Sequence, residues 1–188
     1  MEKFSKLGKK PRSKKSDENV VYKDDYIKLI EFEDWKIIKE KELVVCIIYF
    51  IELNKILLRY EYIPTFKYVD GQEYHVTVLS GGIEDGEEAT TALIREIEEE
   101  AGIVIGENYQ IEELKPLYMT KGHTNKYHPF ILTLNERDYQ EVIPKGDGSK
   151  AEDLSKSVKL DVKHINSVNA SDLITEYMLL KLKEHLNI

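Results

Sequence analysis

The sequence is poor in several residue types, and each shortage excludes a class of protein. Its single cysteine, Cys46, cannot form an internal disulfide, so we expect a reducing compartment, the cytoplasm. The longest apolar run, residues 43–51, is far too short to cross a bilayer, and the first residues lack the apolar segment of a secretory signal. With 35 acidic against 27 basic residues, the chain does not resemble a general nucleic-acid binder.

The basic residues that are present are concentrated at the start of the chain. Residues 1–18 carry seven Lys or Arg against three acids, which leaves 20 bases and 32 acids for the remainder. We expect residues 1–19 to be a solvated, disordered tail and residues 20–188 to form one domain. RNA or a phosphate-rich partner is the alternative role for the tail.

Apolar periodicity predicts an α/β protein with a mixed sheet and two well-separated helices. A helix is expected to begin near Ser171 and to form the carboxyl terminus. Loops are predicted over residues 64–72, 121–128 and 144–156. Strands are predicted over residues 26–33, 35–41, 43–53, 55–63, 73–80, 116–120, 129–135 and 157–165.

The other helix comes from an unusually acidic stretch, SGGIEDGEEATTALIREIEEEAGI. Asp85 is the candidate N-cap, with Glu88 three residues later in a capping-box pattern. The helix is expected to begin at Glu87 and end at Ala101, where Gly102 supplies a left-handed cap. The preceding Gly-Gly pair predicts a tight strand-to-helix turn that a ligand can approach closely.

Helical geometry places two of these acids near the core. Successive residues turn by about 100°, which puts Glu100 about 20° from Leu93 in the apolar stripe and Glu96 about 60° to one side. A carboxylate there is costly unless a cation meets it. Arg95 is expected to pair with one acid, Glu87 or Glu99, and to leave the rest of the cluster unneutralised. A solvated Glu-rich face is the alternative, but the position of these acids favours a site for Mg²⁺ or Mn²⁺.

The same residues resemble the Nudix box, G-x5-E-x7-R-E-U-x-E-E-x-G-U, in which U is a bulky apolar residue. The resemblance implies a Nudix-type α/β/α sandwich with a mixed sheet, a box helix and a C-terminal helix. It also implies metal-dependent hydrolysis of a nucleoside diphosphate linked to another moiety. The matching positions are Gly81, Glu87, Arg95, Glu96, Ile97, Glu99, Glu100, Gly102 and Ile103.

Residue roles follow from this resemblance. Glu96, Glu99 and Glu100 would be metal ligands, and the Ser80 carbonyl would be a further ligand. Arg95 and Glu87 would form a supporting ion pair beside the catalytic glutamates.

The turn SGGIEDGE is most similar to that of the ADP-ribose and nucleoside-diphosphate-sugar pyrophosphatases. For ADP-ribose the products would be AMP and ribose 5-phosphate. Residues 20–41 resemble the N-terminal extension with which those enzymes dimerise, so a homodimer is expected. The chain departs from their pattern at Lys121, Thr77 and Leu79, and residues 125–128 (NKYH) replace the loop that often carries a catalytic Glu.

The general base is left open among several residues, since a positioned base must complete the deprotonation of water. Glu99 is one candidate, on the condition that a metal ion does not fully coordinate it. The others lie in loops, and each has a surface position as its alternative: His123, His128, Glu152 and Asp153.

Substrate contacts are also predicted. Trp35, Phe32 and Tyr62 are candidates for an aromatic platform under adenine, with the protein core as the alternative. Arg59 is a candidate phosphate contact, with a surface ion pair as the alternative. His123 is a further candidate. Two other functions remain open: a Nudix hydrolase of capped RNA or dinucleotide polyphosphates, and a non-catalytic nucleotide-binding module.

Overall fold

The computed structural model describes residues 19–146 and 148–188. The predicted tail of residues 1–19 lies outside these ranges except for Asn19, which begins the first strand. The chain divides into two compact units. Within the described residues, the first comprises residues 19–40 and 120–124, and the second comprises the rest. In the described ranges no helix combines the length and the apolar character that a membrane span requires.

The first unit is a three-stranded antiparallel sheet. Its strands, in spatial order, are β1 (Asn19–Lys23), β2 (Lys28–Phe32) and β3 (Trp35–Lys39). The chain returns to it at His123, which bridges to Ile38. Phe32 and Trp35 face each other in register and are 49% and 56% exposed, so the alternative that placed them in the protein core is wrong.

The second unit is built on an eight-stranded sheet. Its strands are β4 (Leu43–Phe50), β5 (Lys55–Tyr62), β6 (Tyr74–Thr77), β7 (Leu79–Gly82), β9 (Gln110–Glu113), β10 (Leu117–Tyr118), β11 (Lys126–Leu134) and β13 (Lys156–Asp161). The main path of the sheet is β10-β11-β4-β5-β13. β11 runs parallel to β4 and the other pairs are antiparallel, which confirms the predicted mixed sheet. A separate pair is formed by β8 (Ile103–Ile105) and β12 (Tyr139–Glu141).

Helices α2 (Ala89–Ala101) and α4 (Leu173–Leu186) cover the two faces of this sheet. The other helices are α1 (Pro64–Asp70) and α3 (Lys150–Asp153), with 3₁₀ helices at Glu136–Asp138 and Val162–Ser167. Strand β4 alternates between two cores: Val44 and Cys46 pack with α2, whereas Val45 and Ile47 pack with α4. The predicted α/β/α sandwich is therefore confirmed.

Several predicted boundaries are wrong. The predicted loop at residues 64–72 contains α1, in which Pro64 fixes the first turn and Gly71 (φ 79°) closes the last. The predicted strand at residues 73–80 divides into β6 and β7, because these pair with different strands. Strand β11 begins at Lys126, inside a predicted loop, and α3 lies inside another.

The acidic helix α2 begins two residues later than predicted. Its N-cap is Glu88, which makes no side-chain capping bond, so the capping box from Asp85 is wrong. The Glu87 N–H donates to the Glu84 carbonyl (3.0 Å), which makes a turn where the first helical residues were expected. The predicted end is confirmed: Gly102 is left-handed (φ 63°), and its N–H donates to Glu98.

Candidate active site

The Gly-Gly turn at the end of β7 lies directly under Glu96 of α2. A Cβ built on Gly81 would stand 1.9 Å from the Glu96 Cδ, so only glycine leaves room for this carboxylate. Glu96 is 8% exposed, as its place near the apolar stripe predicted. The turn therefore brings the strand backbone and a buried acid together.

Arg95 holds this region through more partners than predicted. Its Nε and Nη2 donate to the two Glu87 carboxylate oxygens (3.1 and 3.0 Å), and Nη2 also donates to the Gly82 carbonyl (2.7 Å). Its Nη1 donates to Glu96 (2.7 Å) and Glu99 (3.0 Å). The prediction of a single acidic partner is wrong, because the guanidinium presents its donors in several directions at once.

These contacts shift the pKa values of Glu87, Arg95 and Glu96 differently. Hydrogen bonds from Arg95 lower the pKa of Glu87, and its hydrogen bond to Glu87 raises the pKa of Arg95. Burial raises the pKa of Glu96, because desolvation outweighs its hydrogen bond from Arg95. A cation bound beside Glu96 would stabilise the charged form that burial disfavours.

A cavity of about 430 Å³ lies over this surface, and we call it the acid-lined cavity. Its walls carry four carboxylates and one guanidinium, and this excess of hard oxygen donors fits a divalent cation. Sequence reasoning did not single out Glu84, which also pairs with Lys41 (2.8 Å); its place beside the Gly-Gly turn was the available signal. The lining residues are Gly81, Gly82, Glu84, Arg95, Glu96, Glu99 and Glu100.

The carboxylates do not stand in a metal-binding arrangement. In the part of the chain that the structure describes, no three His, Cys, Asp or Glu side chains converge closely enough to hold an ion. Glu96 and Glu99 are instead engaged together by Arg95. Ser80 lies half-buried in β7, next to the lining residue Gly81.

Arg59 lies within β5 and is 4% exposed, so the alternative that placed it in a surface ion pair is wrong. Its Nη1 donates to the Glu100 carbonyl (2.7 Å), and its Nε lies 3.7 Å from the Glu100 carboxylate. The structure thus brings this predicted phosphate contact to one of the predicted metal ligands.

The loop candidates for a general base have other neighbours. His128 Nε2 lies 2.5 Å from the Glu42 carboxylate, and His123 Nδ1 lies 2.8 Å from that of Glu40 within the first unit. Asp153 is exposed in α3. The side chain of Glu152 lies outside the described part. Of these candidates only Glu99 lines the acid-lined cavity.

Comparison with known proteins agrees with this geometry. A family model described as the NUDIX domain matches residues 41–163. No curated protein matches the chain. One similar solved structure is described as an ADP compounds hydrolase, with a TM-score of 0.66 and 18% identity over 90% of this chain and 91% of that one. At this identity the likeness establishes the fold alone.

Proposed function

The chain belongs to the Nudix family, and from that premise we propose that it is a divalent-metal-dependent pyrophosphatase of ADP-ribose or a related nucleotide sugar. The observation that carries the proposal is the buried Glu96 over the Gly-Gly turn, in a cavity rich in carboxylates. The similar structure described as an ADP compounds hydrolase supports the substrate class.

In this proposal Glu96, Glu99 and Glu100, with the Ser80 carbonyl, would hold Mg²⁺ or Mn²⁺. When bound, such an ion neutralises the diphosphate and makes the attacking water more acidic. Glu96 and Glu99 must first turn away from Arg95, whose bonds to Glu87 and the Gly82 carbonyl keep it in place.

The reaction is a hydrolysis across the diphosphate bridge. A water oxygen bonds to one phosphorus, the bond from that phosphorus to the bridging oxygen breaks, and the bridging oxygen leaves with the other phosphate. Glu99, whose side chain is 36% exposed, is the proposed base that accepts the proton of the water. Arg95 and Glu87 position the glutamates, and Arg59 contacts a phosphate.

Three further substrate contacts are proposed. Phe32 and Trp35 are exposed side by side, as an aromatic platform for adenine requires. His123 is proposed as the third. Tyr62, the third aromatic candidate, belongs to β5, where its ring packs edge-on against Tyr74.

A product assay tests this function. The wild type and Glu100→Gln are incubated with Mg²⁺, then Mn²⁺, and ADP-ribose, a UDP-sugar, a dinucleotide polyphosphate, a nucleoside triphosphate or a capped RNA. We expect AMP from ADP-ribose and at least about a hundredfold loss in the variant, since charge stabilisation by the metal contributes several kcal/mol. Turnover of another substrate alone would discard the substrate class. Tight nucleotide binding without turnover would indicate a non-catalytic binding module.

A further inference from the structure

A second cavity, of about 410 Å³, shares Glu100 with the acid-lined cavity, and we call it the Arg59 cavity. Its walls hold the cations Arg59, Lys145 and Lys156 against the acids Glu100 and Asp153. The charge balance is thus opposite to that of the acid-lined cavity. Two adjoining cavities of opposite charge fit a ligand that binds a metal ion through one part and carries an anionic group on another part.

Of the three cations, Arg59 is the one whose position in this cavity is fixed. The Lys145 ammonium pairs with Glu98 (3.1 Å), and that of Lys156 lies 5.6 Å from the centre of the Tyr60 ring. Arg59 is 4% exposed and held by β5, so its guanidinium cannot leave for solvent.

The guanidinium of Arg59 has an unused donor. Its Nε has no hydrogen-bond acceptor among the described residues, and the Glu100 carboxylate lies 3.7 Å away. A buried N–H without an acceptor is costly. Phosphate oxygens suit a guanidinium because they accept several of its N–H groups at once. The Arg59 cavity therefore offers a hydrogen-bond donor that lacks an acceptor and that a phosphate oxygen would satisfy.

The other lining residues indicate which part of a nucleotide sugar binds in the Arg59 cavity. No aromatic ring lines either cavity within residues 19–146 and 148–188, so neither offers a stacking surface for a base. Ser157 stands beside Arg59 in register on β13, and its Oγ donates a long hydrogen bond (3.5 Å) to the Glu100 carbonyl. A weakly bonded hydroxyl beside a guanidinium matches a hydroxylated phosphate ester.

We infer that the Arg59 cavity binds the phosphorylated sugar half of the substrate, the half that leaves as a sugar phosphate. The inference rests on the proposed function for the identity of this ligand. It assigns Arg59 and Ser157 as specificity-determining residues, whereas the base binds elsewhere.

Isothermal titration of the full chain in EDTA tests the inference without turnover. The probes are ribose 5-phosphate, AMP and inorganic phosphate. We expect ribose 5-phosphate to bind the wild type more tightly than inorganic phosphate does. Arg59→Lys should weaken its binding at least about tenfold, because one ammonium cannot serve both the Glu100 carbonyl and the phosphate. Ser157→Asp should weaken it similarly, because the new carboxylate occupies Arg59.

Matched variants separate this effect from general damage. Arg137→Lys changes an arginine side chain that is 85% exposed, and Ser157→Ala removes a hydroxyl without adding charge; the first should leave binding unchanged and the second should cost less than Ser157→Asp. If Arg59→Lys does not fold, as circular dichroism would show, Ser157→Asp carries the test.

The outcomes separate this inference from the proposed function. Ribose 5-phosphate binding that is absent, or insensitive to both variants, overturns the inference even if ADP-ribose is hydrolysed. Equal binding of inorganic phosphate, or Arg59-dependent binding of AMP, also overturns it. Arg59-dependent binding of ribose 5-phosphate without turnover of any substrate retains the site and overturns the proposed function.

Discussion

Glu87 and Glu96 accept hydrogen bonds from the same guanidinium, yet their pKa values shift in opposite directions. The pKa of Glu87 is lowered because Arg95 stabilises its charged form. The pKa of Glu96 is raised because its burial disfavours the charge more than Arg95 favours it. Stability should therefore depend on pH with opposite signs at these two residues.

Glu87→Gln should destabilise the fold at neutral pH. A carboxylate with a lowered pKa contributes stability that is fully present above the ordinary value, 4.5, and is lost as the pH falls through the lowered value. The melting temperature of the variant should lie below that of the wild type at neutral pH and approach it in acid. Thermal unfolding followed by circular dichroism in EDTA measures this difference.

Glu96→Gln should behave in the opposite way. The cost of charging a carboxylate with a raised pKa is fully present above that pKa and absent below the ordinary value, 4.5. The variant should therefore melt above the wild type at mildly alkaline pH, and the difference should vanish in acid. Glu107→Gln, at an exposed position, is the control. A lower melting temperature for Glu96→Gln in alkali would contradict the dominance of burial.

Gly81→Ala should weaken metal binding more than it weakens the fold. The new Cβ would meet the Glu96 side chain at 1.9 Å, and that flexible side chain can move away more easily than backbone. We expect about a tenfold or greater loss of Mn²⁺ affinity, measured by electron paramagnetic resonance, from the displacement of one charged ligand. Gly82→Ala is the matched control, since its Cβ would lie 3.7 Å from the Lys41 Cδ. Equal Mn²⁺ affinity in both variants would argue against Glu96 as a ligand.

Among the elements, α2 is anchored at its C-terminal end by distant parts of the second unit. Gly146 N–H donates to the Glu99 carbonyl (3.0 Å), and Arg59 donates to that of Glu100 (2.7 Å). Val142 N–H donates to the Gly102 carbonyl (2.7 Å). These bonds satisfy carbonyls that a helix end leaves without partners, and they fix the end of α2 that carries the glutamates.

Gly102→Ala should therefore be strongly destabilising. The left-handed conformation costs about 1–2 kcal/mol for a residue with a side chain, and the new Cβ would also stand 2.2 Å from the Val142 carbonyl oxygen. Chemical denaturation should show a loss of more than about 2 kcal/mol in the free energy of unfolding. Gly86→Ala shares the left-handed backbone (φ 83°) but meets nothing within 4 Å, so it should lose only the conformational part.

The periodicity of an element decided how well the sequence predicted it. The acidic helix and the long strands β4, β5 and β11 have regular apolar patterns, and their types were predicted correctly. The short strands β8, β9 and β12 were not predicted, because three or four residues are too few to show a period. Helix α1 has no buried residue, so it carries no apolar stripe to detect. The glutamates followed from helical spacing, whereas the several partners of Arg95 and the burial of Arg59 depend on elements that are distant in sequence.

At the scale of the whole molecule, the start of the family match coincides with a structural boundary. The NUDIX model begins at residue 41, and the second unit begins at Lys41. A length of 188 residues predicts one domain, and the strand-like series that begins after the tail runs on into the later strands. In the structure, residues 20–40 belong to the first unit, which is distinct from the unit that begins at Lys41.

The first unit exposes several large apolar side chains, which fits the predicted homodimer. Val20, Val21, Tyr22 and Trp35 are 43%, 51%, 51% and 56% exposed. Size-exclusion chromatography with light scattering should give twice the chain mass of 21.9 kDa, and Val21→Glu with Trp35→Glu should halve it by burying charge at the interface. A monomeric wild type would rule out the homodimer, and Tyr118→Glu, at an exposed tyrosine of the second unit, is the control.

The position of Cys46 has an experimental consequence. It is the single thiol of the chain, it is fully buried in β4, and burial raises its pKa. A thiol reagent can reach it only after the central strand separates from the core beneath α2. The rate of labelling therefore reports how often that core opens under native conditions, and no engineered probe is needed. Substrate or metal that stabilises the closed core would slow this reaction, so ligand binding becomes measurable as thiol protection.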